Sequence, residues 1–187
     1  MLSTRASVSG GRSERGLSLT EVLVAVAMLG IVAMAAVPDF SSVDEQRLQR
    51  AAVEVADAIR YARSEAIRTA TPYGVHAEVT QQRMRLFRLV DSGGTSTPEY
   101  TVRNPVDKKL YDLQLDTPPL KATLVAVDFS YTGVGSQEYL GFDPAGEPAF
   151  DIAGVQRRLT GGTITLSYGS DQCLVRVAAV TGRVTIE

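Results

Sequence analysis

The sequence predicts an α+β protein: a long N-terminal helix, its first half membrane-spanning and its second half amphipathic, packed on an antiparallel β-rich head. Three observations predict it. A predominantly apolar run covers residues 17–37. A stripe with helical period then follows up to Thr71. Beyond Pro72 the period shortens to that of strands, with turn residues at regular intervals. The 187 residues and 44% hydrophobic content suit one such domain with an appendage.

The first element is LSLTEVLVAVAMLGIVAMAAV, Leu17 to Val37. As a helix it is ~30 Å long, the thickness of a bilayer's hydrocarbon core. Arg5, Arg12 and Arg15 precede it and no basic residue lies within it, which predicts a cytoplasmic amino terminus and a head on the far side of the membrane. Glu21 breaks the apolar run without a basic partner in it, and an intramembrane acid is a functional candidate by default. A cut between Gly16 and Leu17 would place Glu21 four residues after a new positive amine, in a first helical turn whose dipole favours negative charge. An amine of a neighbouring subunit is a second partner. Two rival readings of the run are a secretory signal ending at Ala33-Met34-Ala35 and a plain signal anchor. Read as the first, the run would have an apolar core longer than the usual ~7–15 residues and carrying an acid.

Arg15-Gly16-Leu17-Ser18-Leu19-Thr20-Glu21 followed by an apolar helix resembles the class III signal of type IV pilins and type II secretion pseudopilins. The resemblance implies cleavage by prepilin peptidase after Gly16, N-methylation of Leu17, and Glu21 as the assembly glutamate. Pro38 matches a proline common in these helices. Leu17 stands where phenylalanine is usual.

From Val43 to Ala70, Leu48, Ala52, Val55, Ile59, Ala62 and Ala66 form one apolar stripe at alternating spacings of four and three. The stripe is expected to cover the chain's own sheet. Arg50–Glu54 and Asp57–Arg60 are placed for exposed ion pairs, and Thr71-Pro72 ends the helix. The segment Ala58-Ile59-Arg60-Tyr61-Ala62-Arg63-Ser64-Glu65-Ala66-Ile67 resembles the corresponding stretch of the minor pseudopilin H and FimT subgroup. The expected organisation is therefore a cleaved leader (1–16), a membrane and assembly helix (17–37), an amphipathic helix continuing the stalk (38–71) and a periplasmic head (72–187).

In the head, Gly74–Val79 and Met84–Val90 read as a hairpin, and Ser92 to Pro98 as a loop. Residues 98–120 are broken by prolines, leaving Lys109–Leu115 as one strand. Leu124–Tyr131, Tyr139–Phe142, Thr163–Tyr168 and Cys173–Val180 are further strands, and Thr181-Gly182 turns into a closing strand, Arg183–Ile186.

The inventory for catalysis is thin: one histidine, His76, and one cysteine, Cys173. A Cys-His site also needs an orienting third group, so Cys173 is read as a packing residue in preference to a free thiol and His76 as a solvated or packed side chain, and no internal disulfide can form. Gly133-Val134-Gly135-Ser136 lacks the third glycine of a dinucleotide site and the Gly-Lys ending of a phosphate loop. Asp143, Glu147 and Asp151 lack the spacing of a calcium loop and read as part of a turn set by Pro144, Gly146 and Pro148. No catalytic residue, metal or cofactor is expected.

Nucleic acid is a candidate partner only through a local patch. In the FimT branch a carboxy-terminal Gly-Arg-x-Arg element is associated with DNA binding; here Gly182-Arg183-Val184-Thr185 keeps its first arginine, so Arg183 is the candidate DNA contact, with Arg157, Arg158 and Arg176 as companions. Removing a leader with three arginines and one glutamate lowers the formal charge from −2 to −4, which disfavours a polyanion. The expected function is a minor pseudopilin of a type II secretion system, near the pseudopilus tip, in the inner membrane. Prepilin peptidase and other pseudopilins or pilins would be its partners. The alternative is a FimT-like minor type IV pilin acting in pilus assembly or DNA uptake.

Overall fold

The computed structural model describes residues 18–35, 41–91, 96–152 and 154–187. The chain divides into two compact units, Met1–Asp39 and Phe40–Glu187. Gly16, Leu17 and Pro38, and with them the expected cut and the junction between the helices, lie outside the described residues.

In the first unit, helix α1 runs from Leu19 to Ala35. The Ser18 carbonyl accepts the first helical hydrogen bonds, from the amides of Glu21 (2.9 Å) and Val22 (3.2 Å). The helix is apolar on every side, and Leu23, Met28, Leu29 and Ile31 are all exposed. Such a helix has no face suited to water and needs an apolar environment all round. Its described length is 17 residues, and among the described residues no helix is long and apolar enough to cross a membrane.

The second unit opens with helix α2, Ser41–Thr69. All six residues of the predicted stripe are buried, and Ala51, Ala56 and Ala58 widen it. The width has a cause: α2 packs on two sheets, and alanines let the backbone of each approach closely. Ala70 takes a left-handed conformation, φ 51°, just past the helix, a standard way to end one. Asp57 and Arg60 pair at 2.8 Å. Arg50 and Glu54 make no ion pair among the described residues; exposed pairs gain too little over water to fix their geometry.

Eleven strands follow among the described residues: β1 Tyr73–Glu78, β2 Arg83–Asp91, β3 Ser96–Glu99, β4 Asp112–Gln114, β5 Thr123–Tyr131, β6 Val134–Gln137, β7 Tyr139–Phe142, β8 Ala149–Ile152, β9 Val155–Tyr168, β10 Asp171–Val177 and β11 Val184–Ile186. Every pairing between them is antiparallel. The first sheet has the order β3-β2-β1-β7, with β4 also on β2; the second has the order β11-β10-β9-β5-β6, with β8 on β9.

Two side chains join the sheets. The Gln82 amide, at the tip of the first hairpin, donates to the Leu124 carbonyl (2.9 Å) and accepts from the Leu124 amide (2.7 Å). The Tyr131 hydroxyl of β5 donates to the Tyr139 carbonyl (2.9 Å) and accepts from the Gly141 amide (3.2 Å) of β7. Burial raises the pKa of that phenol, so it stays a donor at any physiological pH.

The structure corrects the strand reading at five strands. Ser96 to Pro98, read as loop, belong to β3; Pro98 is tolerated because β3 is an edge strand. β8 falls in the segment read as a turn, and β6 in one to which no strand was assigned. β9 begins eight residues before Thr163, because its first part pairs with β8 while its polar residues Gln156, Arg157 and Arg158 show no apolar alternation. β10 ends at Val177, three residues short of the predicted end.

Candidate functional sites

Glu21 lies in the first turn of α1, exposed and the only charge on the helix. Its carboxylate has no hydrogen-bond partner among the described residues. Ser18-Leu19-Thr20-Glu21 has capping-box spacing, but the Ser18 hydroxyl is engaged with that of Thr20, 2.8 Å away. The acid is thus left available at the positive end of the helix dipole.

Arg183 stands on the tight turn between β10 and β11. That turn depends on Gly182, whose φ is +62° and whose added Cβ would come within 3.0 Å of the Phe142 ring. The turn folds back on α2, where the Arg60 guanidinium donates to the Val184 carbonyl (3.2 Å) and Arg63 Nε donates to the Gly146 carbonyl (2.9 Å). Gly146 has φ +79°, and an added Cβ would meet Ile67 at 2.6 Å. Two glycine turns therefore bring Arg60, Arg63 and Arg183 around one cleft of about 500 Å³.

The four arginines grouped from sequence do not form a common patch of free charge. Arg158 pairs with Glu147 at 3.2 Å and Arg176 with Glu187 at 2.7 Å. Arg157 donates to the Thr132 carbonyl at 3.3 Å. Arg183 lines its cleft with Arg60 and Arg63 and lines a second cleft, of about 350 Å³, with Arg176; sequence reading placed Arg60 in an exposed ion pair and named Arg63 only within the subgroup-like stretch. The available signal was their spacing of three, which puts both on one side of α2.

His76 and Cys173 are both buried and sit in different sheets, on β1 and β10. Burial raises the Cys173 thiol pKa, which suits packing and not reaction. His76 belongs to a polar-aromatic layer on the face of the first sheet opposite Val75 and Ala77. Its ring stacks on Tyr139 at 3.9 Å, and Nδ1 lies 2.8 Å from the Tyr100 hydroxyl. Neighbouring Glu78 accepts hydrogen bonds from Arg85 and, at 3.3 Å, from Arg83, and Arg85 also covers the Tyr100 ring at 3.9 Å. Burial lowers the His76 pKa, outweighing the pull of Glu78. For Glu78 burial acts upward, but the two arginine hydrogen bonds outweigh it and hold the carboxyl below its usual range.

Both shifts have the same consequence for stability. Below pH 6.5, the ordinary value for His76, the unfolded chain takes the proton and the folded chain resists it; below 4.5 the same holds for Glu78. Stability is therefore highest above 6.5 and is lost in two stages as pH falls. The Tm is expected to drop between about pH 7.5 and 5.5, and His76→Gln to flatten that slope whatever it does to the Tm itself. An unchanged slope in the variant would assign the loss to other groups.

The turn at Asp143 is as predicted. Its carboxylate accepts from the amides of Ala145 and Glu147, both at 2.9 Å. Among the described residues no three His, Cys, Asp or Glu side chains are grouped to hold a metal ion.

Comparison with known proteins gives two family matches. Residues 51–182 match the family model of type II transport protein GspH, and residues 11–37 match the prokaryotic N-terminal methylation motif. No curated protein sequence matches the chain. Among solved structures, the minor pseudopilin EpsH from the type 2 secretion system of Vibrio cholerae is similar, with 16% identity over 75% of this chain and 96% of its own and a TM-score of 0.50. The type IV minor pilin FimU of Pseudomonas aeruginosa shares 18% identity over 80% of this chain and 92% of its own, with a TM-score of 0.46. The EpsH likeness is one of fold: a helix packed on an antiparallel β-rich head. The GspH match spans α2 from Ala51 onward and the head as far as Gly182, and the chain belongs to the type II transport protein GspH family, the minor pseudopilins of type II secretion.

Proposed function

We propose that the chain is made as a precursor, cut by prepilin peptidase between Gly16 and Leu17, methylated on Leu17, and assembled through α1 with the helices of other pseudopilins near the tip of a periplasmic pseudopilus. In this reading residues 1–16 are the cytoplasmic leader, 17–37 the inner-membrane and assembly helix, 38–71 the continuation of the stalk, and 72–187 the periplasmic head. The observation that carries it is α1 itself: a helix exposed and apolar on every side, with one acid in its first turn that has no partner among the described residues, inside a matched methylation motif. In lipid or in a bundle of like helices every one of those apolar side chains finds an apolar neighbour. Glu21 alone does not, and an unpaired acid in such surroundings is costly. A subunit amine is the partner that removes the cost, and pairing with it sets the register of the helix. The chemistry asked of the chain is assembly, not catalysis.

Gly16→Val tests the processing step. The variant is expected to keep the uncut 20.0 kDa mass and to stay in the membrane without partner subunits. Normal cleavage and normal co-purification of the variant would contradict the assignment of Gly16.

A further inference from the structure

The cleft between α2 and the β10–β11 turn is lined by three guanidinium groups and, among the described residues, by no acid. Arg60 is held at 2.8 Å by Asp57. Arg63 spends its Nε on the Gly146 carbonyl and has no acidic partner among the described residues. The Arg183 side chain is exposed and makes no hydrogen bond or ion pair there. Ile67, 52% exposed, and Val184 supply an apolar wall beside the charges, and Ser64 adds a hydroxyl. The backbone that shapes the cleft is constrained: Gly146 and Gly182 both have positive φ, and each lies against Arg63.

We infer that this cleft is a docking site for an acidic peptide segment of a partner protein, one that presents carboxylates to Arg63 and Arg183 and an aliphatic side chain to Ile67. Planar, bidentate guanidinium donors suit carboxylates and phosphates alike, so charge alone does not choose between peptide and nucleic acid. The surroundings do. A nucleic-acid strand needs a track of free cations along its backbone and faces on which bases stack. The neighbouring cations Arg176 and Arg158 are neutralised by Glu187 and Glu147. The cleft is lined by no aromatic side chain. An isolated group of cations beside an aliphatic wall fits a short amphipathic acidic segment. The inference stands whether or not Leu17 and Glu21 act in assembly.

The test is a fluorescence-anisotropy titration of the full-length chain in neutral detergent micelles. The probe is a dye-labelled octapeptide of alternating glutamate and leucine, at about 50 mM salt, where exposed charges are weakly screened. Binding is expected to weaken as salt rises and to fall by about two- to fivefold in Arg183→Gln, the range of one exposed charge pair. The Arg63→Gln/Arg183→Gln double variant should lose most of it, while Arg88→Gln, on the first sheet, should bind as the parent does. Arg63 also supports the Gly146 turn, so Arg183→Gln, which removes no side-chain hydrogen bond or ion pair among the described residues, is the decisive variant. Absence of binding, or equal binding by Arg183→Gln, overturns the inference. So does tighter binding of an eight-nucleotide single-stranded DNA through the same two arginines, which would assign the cleft to nucleic acid.

Discussion

Glu21→Ala is expected to insert in the membrane and to be cut normally, yet to be missing from the assembled filament. The alanine is as apolar as its neighbours on α1, so insertion becomes easier. Cleavage is set by the residues around Gly16 and is unaffected. What is lost is the carboxylate facing an amine in an apolar bundle. Leaving one member of such a pair uncompensated costs about 3–5 kcal/mol, which is more than a hundredfold in co-assembly at roughly 1.4 kcal/mol per decade. Co-purification of the variant with its partner subunits, scored against the parent, reads this directly. Parental levels of partners would remove Glu21 from the assembly mechanism.

Gly74→Ala should be the most damaging single substitution in the head. Gly74 on β1 faces Gly141 on β7 and Phe87 on β2. A Cβ at Gly74 would lie 2.3 Å from the Leu140 carbonyl oxygen and 2.4 Å from the Phe87 ring; one at Gly141 would lie 2.5 Å from the Ala149 carbonyl oxygen and 2.9 Å from Phe150. The paired glycines leave room for the two phenylalanine rings, which meet edge-to-face at 5.8 Å, while Phe150 stacks on Tyr139 at 5.4 Å. Backbone oxygens cannot step aside as a flexible side chain can, so the methyl group displaces Phe87 and with it the layer around His76. Overpacking of this kind costs typically 1–3 kcal/mol and at times more. The upper end corresponds to roughly 6–12 °C in Tm for a chain of this size. Thermal unfolding followed by circular dichroism tests it, and a loss under about 2 °C would show that the sheet relaxes around the methyl group.

What could be read from the sequence divides along physical lines. The stripe on α2 was legible because burial against a sheet imposes a period, and Leu48, Ala52, Val55, Ile59, Ala62 and Ala66 all obey it. The hairpin of β1 and β2 was legible because Val75, Ala77, Met84 and Leu86 alternate with polar residues. β6 was not, since Val134-Gly135-Ser136-Gln137 carries no apolar face; it is a strand because β5 offers it a partner. The first half of β9 was hidden for the same reason. Among site residues, Glu21 stands out in any reading because an acid in an apolar run has no structural excuse. Arg60 and Arg63 do not, since on α2 they look like ordinary solvated charges. Their role depends on a turn more than a hundred residues later in the chain, which the Arg60 hydrogen bond to Val184 ties down. His76 likewise shows its neighbours Tyr100, Glu78 and Tyr139 only once three strands are paired.

The intact mass and amino-terminal sequence of the protein extracted from its native membrane test the assembly reading most directly. A chain that begins at N-methylated Leu17 is the predicted result, with the leader gone and Glu21 four residues from the new amine. A chain that begins at Met1 would be a plain membrane anchor, and one that begins at Ala36 an ordinary exported domain. Either start would contradict pilin-like processing and remove the partner on which the role of Glu21 depends.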